Sequence, residues 1–275
     1  MPPRGIVRMF PVFGALTLAA LVAFAACGDD EEGIDVSGVP ELQDGVLNVG
    51  SEIAYAPFEF FQEGTEIPDG VDIDLAKALA EELGVEVEFI NTGFEGIILS
   101  LQTDEFDVLM SAMTIRPDRE EEIDFVAYLS VGTGILVPAG NPNDIQGLED
   151  LCGLTVAVQI ATIQLDMANE QSAKCDQKIN VVPFDTNPLA VEDLRTGGAD
   201  ANLADFPTAL LDAEESAGAL EVVDAQLQPE PYGIGVRKES TALKAALEEA
   251  LQAVRDSGKY GEILTKWDVA SFALP

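Results

Sequence analysis

One pattern in this chain occurs twice and limits what it can fold into. In the first occurrence GVLNVGSE reads as a strand, DIDLAKALAEELG as a helix, VEVEFI as a strand, GFEGIILSLQTD as a helix and FDVLMSAM as a buried strand. In the second, LTVAVQ, TIQLDMANEQSA, INVVPF, PLAVEDLRTGG and ADANLAD follow in the same order of strand, helix, strand, helix, strand. Short β-rich runs that alternate with amphipathic helices layer as helices over largely parallel sheets, so the fold class is α/β in two units. Within the first helix Ile73, Leu75, Ala76, Leu79, Ala80 and Leu83 share one side, and Gly84 stops it. RPDREEEI opens another helix, with Pro117 suited to its first turn. YGIGVRK returns as a strand, and TALKAALEEALQAVRDSGKYGEILTKW gives a long and a shorter helix split at Ser257 and Gly258.

The N-terminus sets the compartment. Arg4 and Arg8 precede an uncharged apolar run from Met9 to Ala26, which ends in small residues before Cys27. That is the layout of a signal peptide over residues 1–26. LVAFAAC resembles a bacterial lipobox, whose cysteine is lipidated and becomes the first mature residue; here that is Cys27, with Phe24 where Leu is more usual. An uncleaved membrane anchor is the alternative reading, but Pro11 and Gly14 leave the apolar stretch short for a span of about 20 residues. Residues 27–45 are rich in acid, Gly and Pro and read as a disordered acidic tether. Removing 26 residues would leave 249 (275 − 26), which suits two lobes better than one core.

Composition excludes several chemistries. With 14 Lys+Arg against 50 Asp+Glu, a formal charge of −36, the chain is a poor partner for nucleic acid or anionic lipid, and such a charge favours a soluble monomer. It contains no histidine, so a Ser-His-Asp device and a His-ligated metal are ruled out. Cys152 and Cys175 remain once Cys27 is assigned to lipid, and in an exported chain an even pair reads as a disulfide. The acids of DGVDIDLAK lack the spacing of a calcium loop and read as solvated carboxylates. No metal and no cofactor is expected.

So few cations make Arg119 conspicuous. It follows the small hydroxyl residues Ser111 and Thr114 in DVLMSAMTIRPDRE, and its rigid fork matches a carboxylate through two parallel hydrogen bonds. The residues point to a protein that captures a small carboxylate-bearing ligand, not to an enzyme. The blander reading of Arg119 is an exposed pair with Glu121 or Glu122, and of Asp205 the cap of a helix beginning near Pro207.

Seven segments, in order, carry a resemblance: YAPFEF, GVDIDLAKALAEELG, DVLMSAMTIRPDRE, DLCGLTVAVQIAT, LRTGGADANLAD, YGIGVRK and GKYGEILTKW. Together they resemble the family 3 extracellular solute-binding proteins, the amino-acid receptors of ABC importers, from about Leu47 to Trp267. The resemblance implies the two-lobed type II fold of periplasmic binding proteins, each lobe a mostly parallel sheet flanked by helices. Lobe 1 would comprise 46–130 and 232–275 and lobe 2 136–230, with a two-strand hinge at 131–135 and 229–232. Ligand would lie between the lobes, and permease subunits in the membrane would be the partners.

Carried over by position, the resemblance gives Arg119 the ligand's α-carboxylate and Asp205 its α-ammonium. Ser111 and Thr114 would contact the same head group, and Thr162 would add a donor from lobe 2. Tyr55 and Phe94 would sandwich the side chain, and Glu52 would face its far end, which implies a polar or basic amino acid. Phe94 as core and Glu52 as one more surface acid are the plainer alternatives. The chain departs from the family at Ile160-Ala161, where Gly-Thr is common, and at Arg116, where Thr is common; Arg116 is expected to face solvent. An exported enzyme resembling cyclohexadienyl dehydratase is the competing class, with Glu52 as its acid or base.

Overall fold

The computed structural model describes residues 33–223 and 226–274. The expected signal peptide and Cys27 lie outside these residues. The strands and helices run in the order β1 (Val46–Ser51), β2 (Phe60–Phe61), β3 (Pro68–Asp69), α1 (Val71–Leu83), β4 (Glu86–Asn91), α2 (Ile97–Gln102), β5 (Val108–Leu109), α3 (Pro117–Glu122) and β6 (Asp124–Pro138). They continue with β7 (Thr155–Gln159), α4 (Ile163–Lys174), β8 (Asn180–Phe184), α5 (Asn187–Arg195), β9 (Ala201–Asp205), α6 (Phe206–Glu215), β10 (Leu220–Val222), β11 (Leu227–Val236), α7 (Thr241–Asp256) and α8 (Lys259–Lys266).

The main sheet has the order β4-β1-β5-β11-β6-β9-β7-β8, with β10 on a further stretch of β6. Two parallel groups, β4-β1-β5 and β9-β7-β8, are joined by antiparallel β11 and β6. Alternation along the strands serves helices on both faces: Ile135, Val137, Val156 and Val158 enter one core, while Leu136 and Ala157 enter another with Ala190, Leu194 and Ala209. Around the first group, Leu47, Val49, Leu75, Leu79, Ile234 and Leu247 form the larger core, and Ile97, Leu101, Leu109 and Ile123 cover the opposite face. Among the described residues no helix is long and apolar enough to cross a membrane.

Helix α1 follows its sequence pattern, and Gly84 caps it in the left-handed region at φ 68°. Its start depends on Gly70 (φ 129°), because a Cβ there would collide with the Phe58 carbonyl. That close approach lets Val71 N–H and Asp72 N–H donate to the Pro57 and Phe58 carbonyls at 3.0 and 2.9 Å, docking α1 on the loop after β1.

Three segments differ from expectation. Residues 33–45, read as part of a tether, are ordered against the larger core: Val39 and Leu42 are buried in it, and Pro40–Leu42 forms a 3-10 turn. Apolar side chains spaced among the acids supplied enough burial to overcome the polar composition. FDVLMSAM contributes only Val108 and Leu109 as strand. The fifteen-residue strand β6 carries no period-two signature over much of its length, because residues 131–137 are all buried and burial does not alternate there.

Cys152 and Cys175 are bridged, with Cα atoms 5.5 Å apart, tying the approach to β7 to the end of α4. Removing the bridge by Cys152→Ser with Cys175→Ser is expected to lower unfolding free energy by about 3 kcal/mol in the loop-closure account. The urea midpoint is the readout, and an unchanged midpoint would contradict a stabilising role.

Candidate functional site

The carboxyl ends of the parallel strands converge on one cavity. All eight expected ligand residues line it: Glu52, Tyr55, Phe94, Ser111, Thr114, Arg119, Thr162 and Asp205. Glu59, Gln159 and Gln164 line it too and were not foreseen. Glu59 sits in YAPFEF and the two glutamines flank the Ile160-Ala161 departure, but glutamine and isolated acids carry no spacing signal.

Arg119 is 7% exposed, so it is not a solvent-facing helix-start residue. Its Nη1 donates to the Thr114 carbonyl at 2.9 Å and its Nη2 to the Ala161 carbonyl at 3.0 Å. The guanidinium also lies over the Phe94 ring, 5.6 Å from its centroid, which fixes the plane of the fork. Burial, and then the charge of Arg116, lower its pKa to about 10, which leaves it charged at neutral pH.

Asp205, the last residue of β9, precedes α6 but makes no side-chain cap bond to it. Its Oδ2 accepts the Tyr55 hydroxyl at 2.8 Å and its Oδ1 the Gln164 amide at 2.9 Å, while its own N–H donates to the Tyr55 oxygen at 3.0 Å. Burial pushes the carboxyl up to about 6, against the pull of neighbouring tyrosine hydroxyls and the Gln164 amide. The Tyr55 hydroxyl is thus bonded twice to Asp205.

Glu52 is buried rather than a surface acid, at 5% exposure. Its Oε2 accepts the Gln159 amide at 2.6 Å and its Oε1 the Phe94 N–H at 3.4 Å. Burial raises its pKa and these bonds oppose the rise. Among the described residues no Lys or Arg forms an ion pair with it.

Thr162 lines the cavity, but its hydroxyl is committed to the chain: it donates to the Gln159 carbonyl at 2.7 Å and caps α4 by accepting Leu165 N–H at 3.2 Å. Ala161 adopts φ 62°, a region that favours glycine, so this departure places some backbone strain behind the carbonyl that holds Arg119. Arg116 does not simply face solvent. It pairs with Asp118 at 2.5 Å and reaches Asp166 on α4 at 2.7 Å, with its side chain 25% exposed, and so links the start of α3 to α4.

A profile of the bacterial extracellular solute-binding proteins, family 3, matches residues 47–270. The chain belongs to this family. A curated relative, the arginine-binding protein ArgT of Corynebacterium glutamicum, is 32% identical over 98% of this chain and 93% of its own length. Among solved structures, an ancestral arginine-binding protein bound to arginine superimposes with a TM-score of 0.77 and 36% identity, covering 81% of this chain and 98% of that one. An ancestral amino acid-binding protein, described as a precursor of cyclohexadienyl dehydratase, gives a TM-score of 0.77 and 37% identity over 84% of this chain and 99% of its own. The family architecture is the type II fold of periplasmic binding proteins, in agreement with two parallel strand groups joined by β6 and β11.

Proposed function

We propose that this family member captures a cationic amino acid of the arginine class and presents it to an ABC importer. The observation that carries the reading is a matched pair, Arg119 and Asp205, enclosed with a further buried acid, Glu52, that pairs with no Lys or Arg among the described residues. Arg119 and Asp205 complement the α-carboxylate and α-ammonium of a zwitterion, and an unpaired charge in such a site is costly. Glu52 then calls for a second positive charge on the ligand, with Tyr55 and Phe94 flanking the connecting side chain. The arginine-binding relatives support the same assignment.

Binding is read as closure of lobe 1 (46–130 and 232–275) on lobe 2 (136–230) about 131–135 and 229–232, since Arg119 and Asp205 come from different strand groups. The protein works as a monomer held at the outer face of the membrane by lipid on Cys27. Radiolabelled fatty acid should enter the parent chain but not a Cys27→Ser variant; label in both would sink the anchor.

The test is titration calorimetry on protein stripped of carried-over solute, against L-arginine, L-lysine, L-histidine and L-glutamine. Glu52→Gln is expected to weaken a cationic ligand by about tenfold or more, as for loss of a buried charged partner, and L-glutamine far less. Equal loss for both would remove Glu52 from the assignment. Absence of binding across all amino acids would favour an enzyme related to the dehydratase precursor, and prephenate-type acids would then be tried. Asp205 argues for the receptor, because a dicarboxylate substrate has no ammonium for it to meet.

A further inference from the structure

Glu59 takes no part in the ligand pairing above, although it lines the same cavity and is 1% exposed. Its Oε1 accepts the Ser111 hydroxyl at 3.0 Å, whereas its enclosed Oε2 accepts no hydrogen bond. Charged and titratable groups face it from several elements. Asp72 of α1 lies closest in effect, followed by Glu52 after β1 and Asp205 of β9, with Tyr128 of β6 behind Asp72 and Arg119 of α3 across the cavity. Asp72 accepts Ala112 N–H at 2.9 Å and the Tyr128 hydroxyl at 2.7 and 2.8 Å. Among the described residues no Lys or Arg forms an ion pair with either acid.

Two neighbouring carboxylates in an apolar interior do not both stay ionised. As an anion, Glu59 leaves Oε2 without a partner, whereas as a carboxylic acid it carries a proton that the neighbouring Asp72 carboxylate can accept. Burial, and then the charge of Asp72, hold its carboxyl well above the ordinary carboxylate range.

We infer that Glu59 is a neutral carboxylic acid at neutral pH, a positioning residue that donates to Asp72 and holds Ser111, and that its neutrality sets the charge of the ligand cavity. Ser111 in turn accepts the Glu52 N–H at 3.0 Å, so Glu59 fixes the backbone that carries Glu52. The charge statement rests on the proposed ligand class. Glu52 and Asp205 against Arg119 leave one net negative charge (−2 + 1 = −1), which complements an amino acid with a cationic side chain (−1 + 1 + 1 = +1). An ionised Glu59 would leave a buried charge unmatched in the complex.

The full chain tests this by comparing two glutamates of one cavity. Glu59→Gln reproduces the neutral acid, with an N–H2 for Asp72 and a carbonyl for Ser111, and is expected to bind L-arginine within about threefold of the parent. Glu59→Ala strands both partners and should lose about tenfold, the effect of an unsatisfied buried polar group. Infrared spectra of ligand-free protein at neutral pH should contain a protonated-carboxyl carbonyl stretch that Glu59→Gln lacks. Glutamate-selective isotope labelling of the unmutated chain should shift the same band, which assigns it even if the variants do not fold. No protonated glutamate band, or a loss in Glu59→Gln as large as that in Glu52→Gln, overturns the inference. If no amino acid binds, the functional reading fails while the infrared band still decides the state of Glu59.

Discussion

Arg119→Ala is expected to weaken L-arginine by about 2–5 kcal/mol, roughly thirtyfold to several thousandfold, by titration calorimetry. The guanidinium is buried, is held from behind by the Thr114 and Ala161 carbonyls and is oriented by the Phe94 ring. Truncation would remove the proposed partner of the α-carboxylate and leave that anion desolvated without compensation. Arg119→Lys should recover little, because a point charge on a flexible stem cannot reproduce the fork or keep both carbonyl bonds. Because every amino acid carries the same carboxylate, the loss should be uniform across ligands. A loss confined to cationic ligands would place Arg119 elsewhere in the recognition scheme.

Asp205→Asn should lose affinity on the same scale, and the parent chain should show why through pH. The carboxyl titrates at about 6, raised by burial, and only its anion pairs with an ammonium group. Ligand affinity is therefore full above that value and falls as pH drops through it, by up to about tenfold per unit. Asp205→Asn should be weak throughout and lack this inflection; an unchanged inflection would assign it to another group. Stability of the ligand-free chain runs the other way. Asp72, Asp205 and Asp212 all sit near 6, above their unfolded values, so between about 4 and 6 the folded chain binds more protons than the unfolded one. Unfolding free energy then rises as pH falls across that window. Acid is expected to raise the thermal midpoint while loosening the hold on solute.

The architecture was legible because its signals are local. Helix α1 announced its buried face through Ile73, Leu75, Leu79 and Leu83, and the split between α7 and α8 was readable at Ser257 and Gly258. Strand β6 was not, since a strand buried on both faces loses the alternation that marks one. In the site, Arg119 stood out as a scarce cation after small hydroxyl residues, whereas Asp205 came only with the family resemblance, since its residues alone equally allowed a helix cap. Glu59 was lost among 50 acids. Its meaning arises only when Gly70 brings α1 against the loop after β1 and sets Asp72 beside it. Gln159 and Gln164 were missed for a similar reason, because an amide becomes a site group only through the oxygen it meets.

On the proposed ligand reading, those two amides, with the Tyr55 hydroxyl, turn recognition into an exchange. Each oxygen of Glu52 and Asp205 that a solute would use is already engaged by a group of the same chain, held at high effective concentration. A short neutral solute that reaches only Arg119 and Asp205 leaves the bond between Gln159 and Glu52 untouched and gains nothing at that end. A longer cationic solute replaces a neutral amide with a charged donor, and charge-assisted bonds are roughly twice as strong. Selectivity then depends on the difference between two occupants of one oxygen, so the strength of the internal competitor sets the threshold a solute must exceed to be retained.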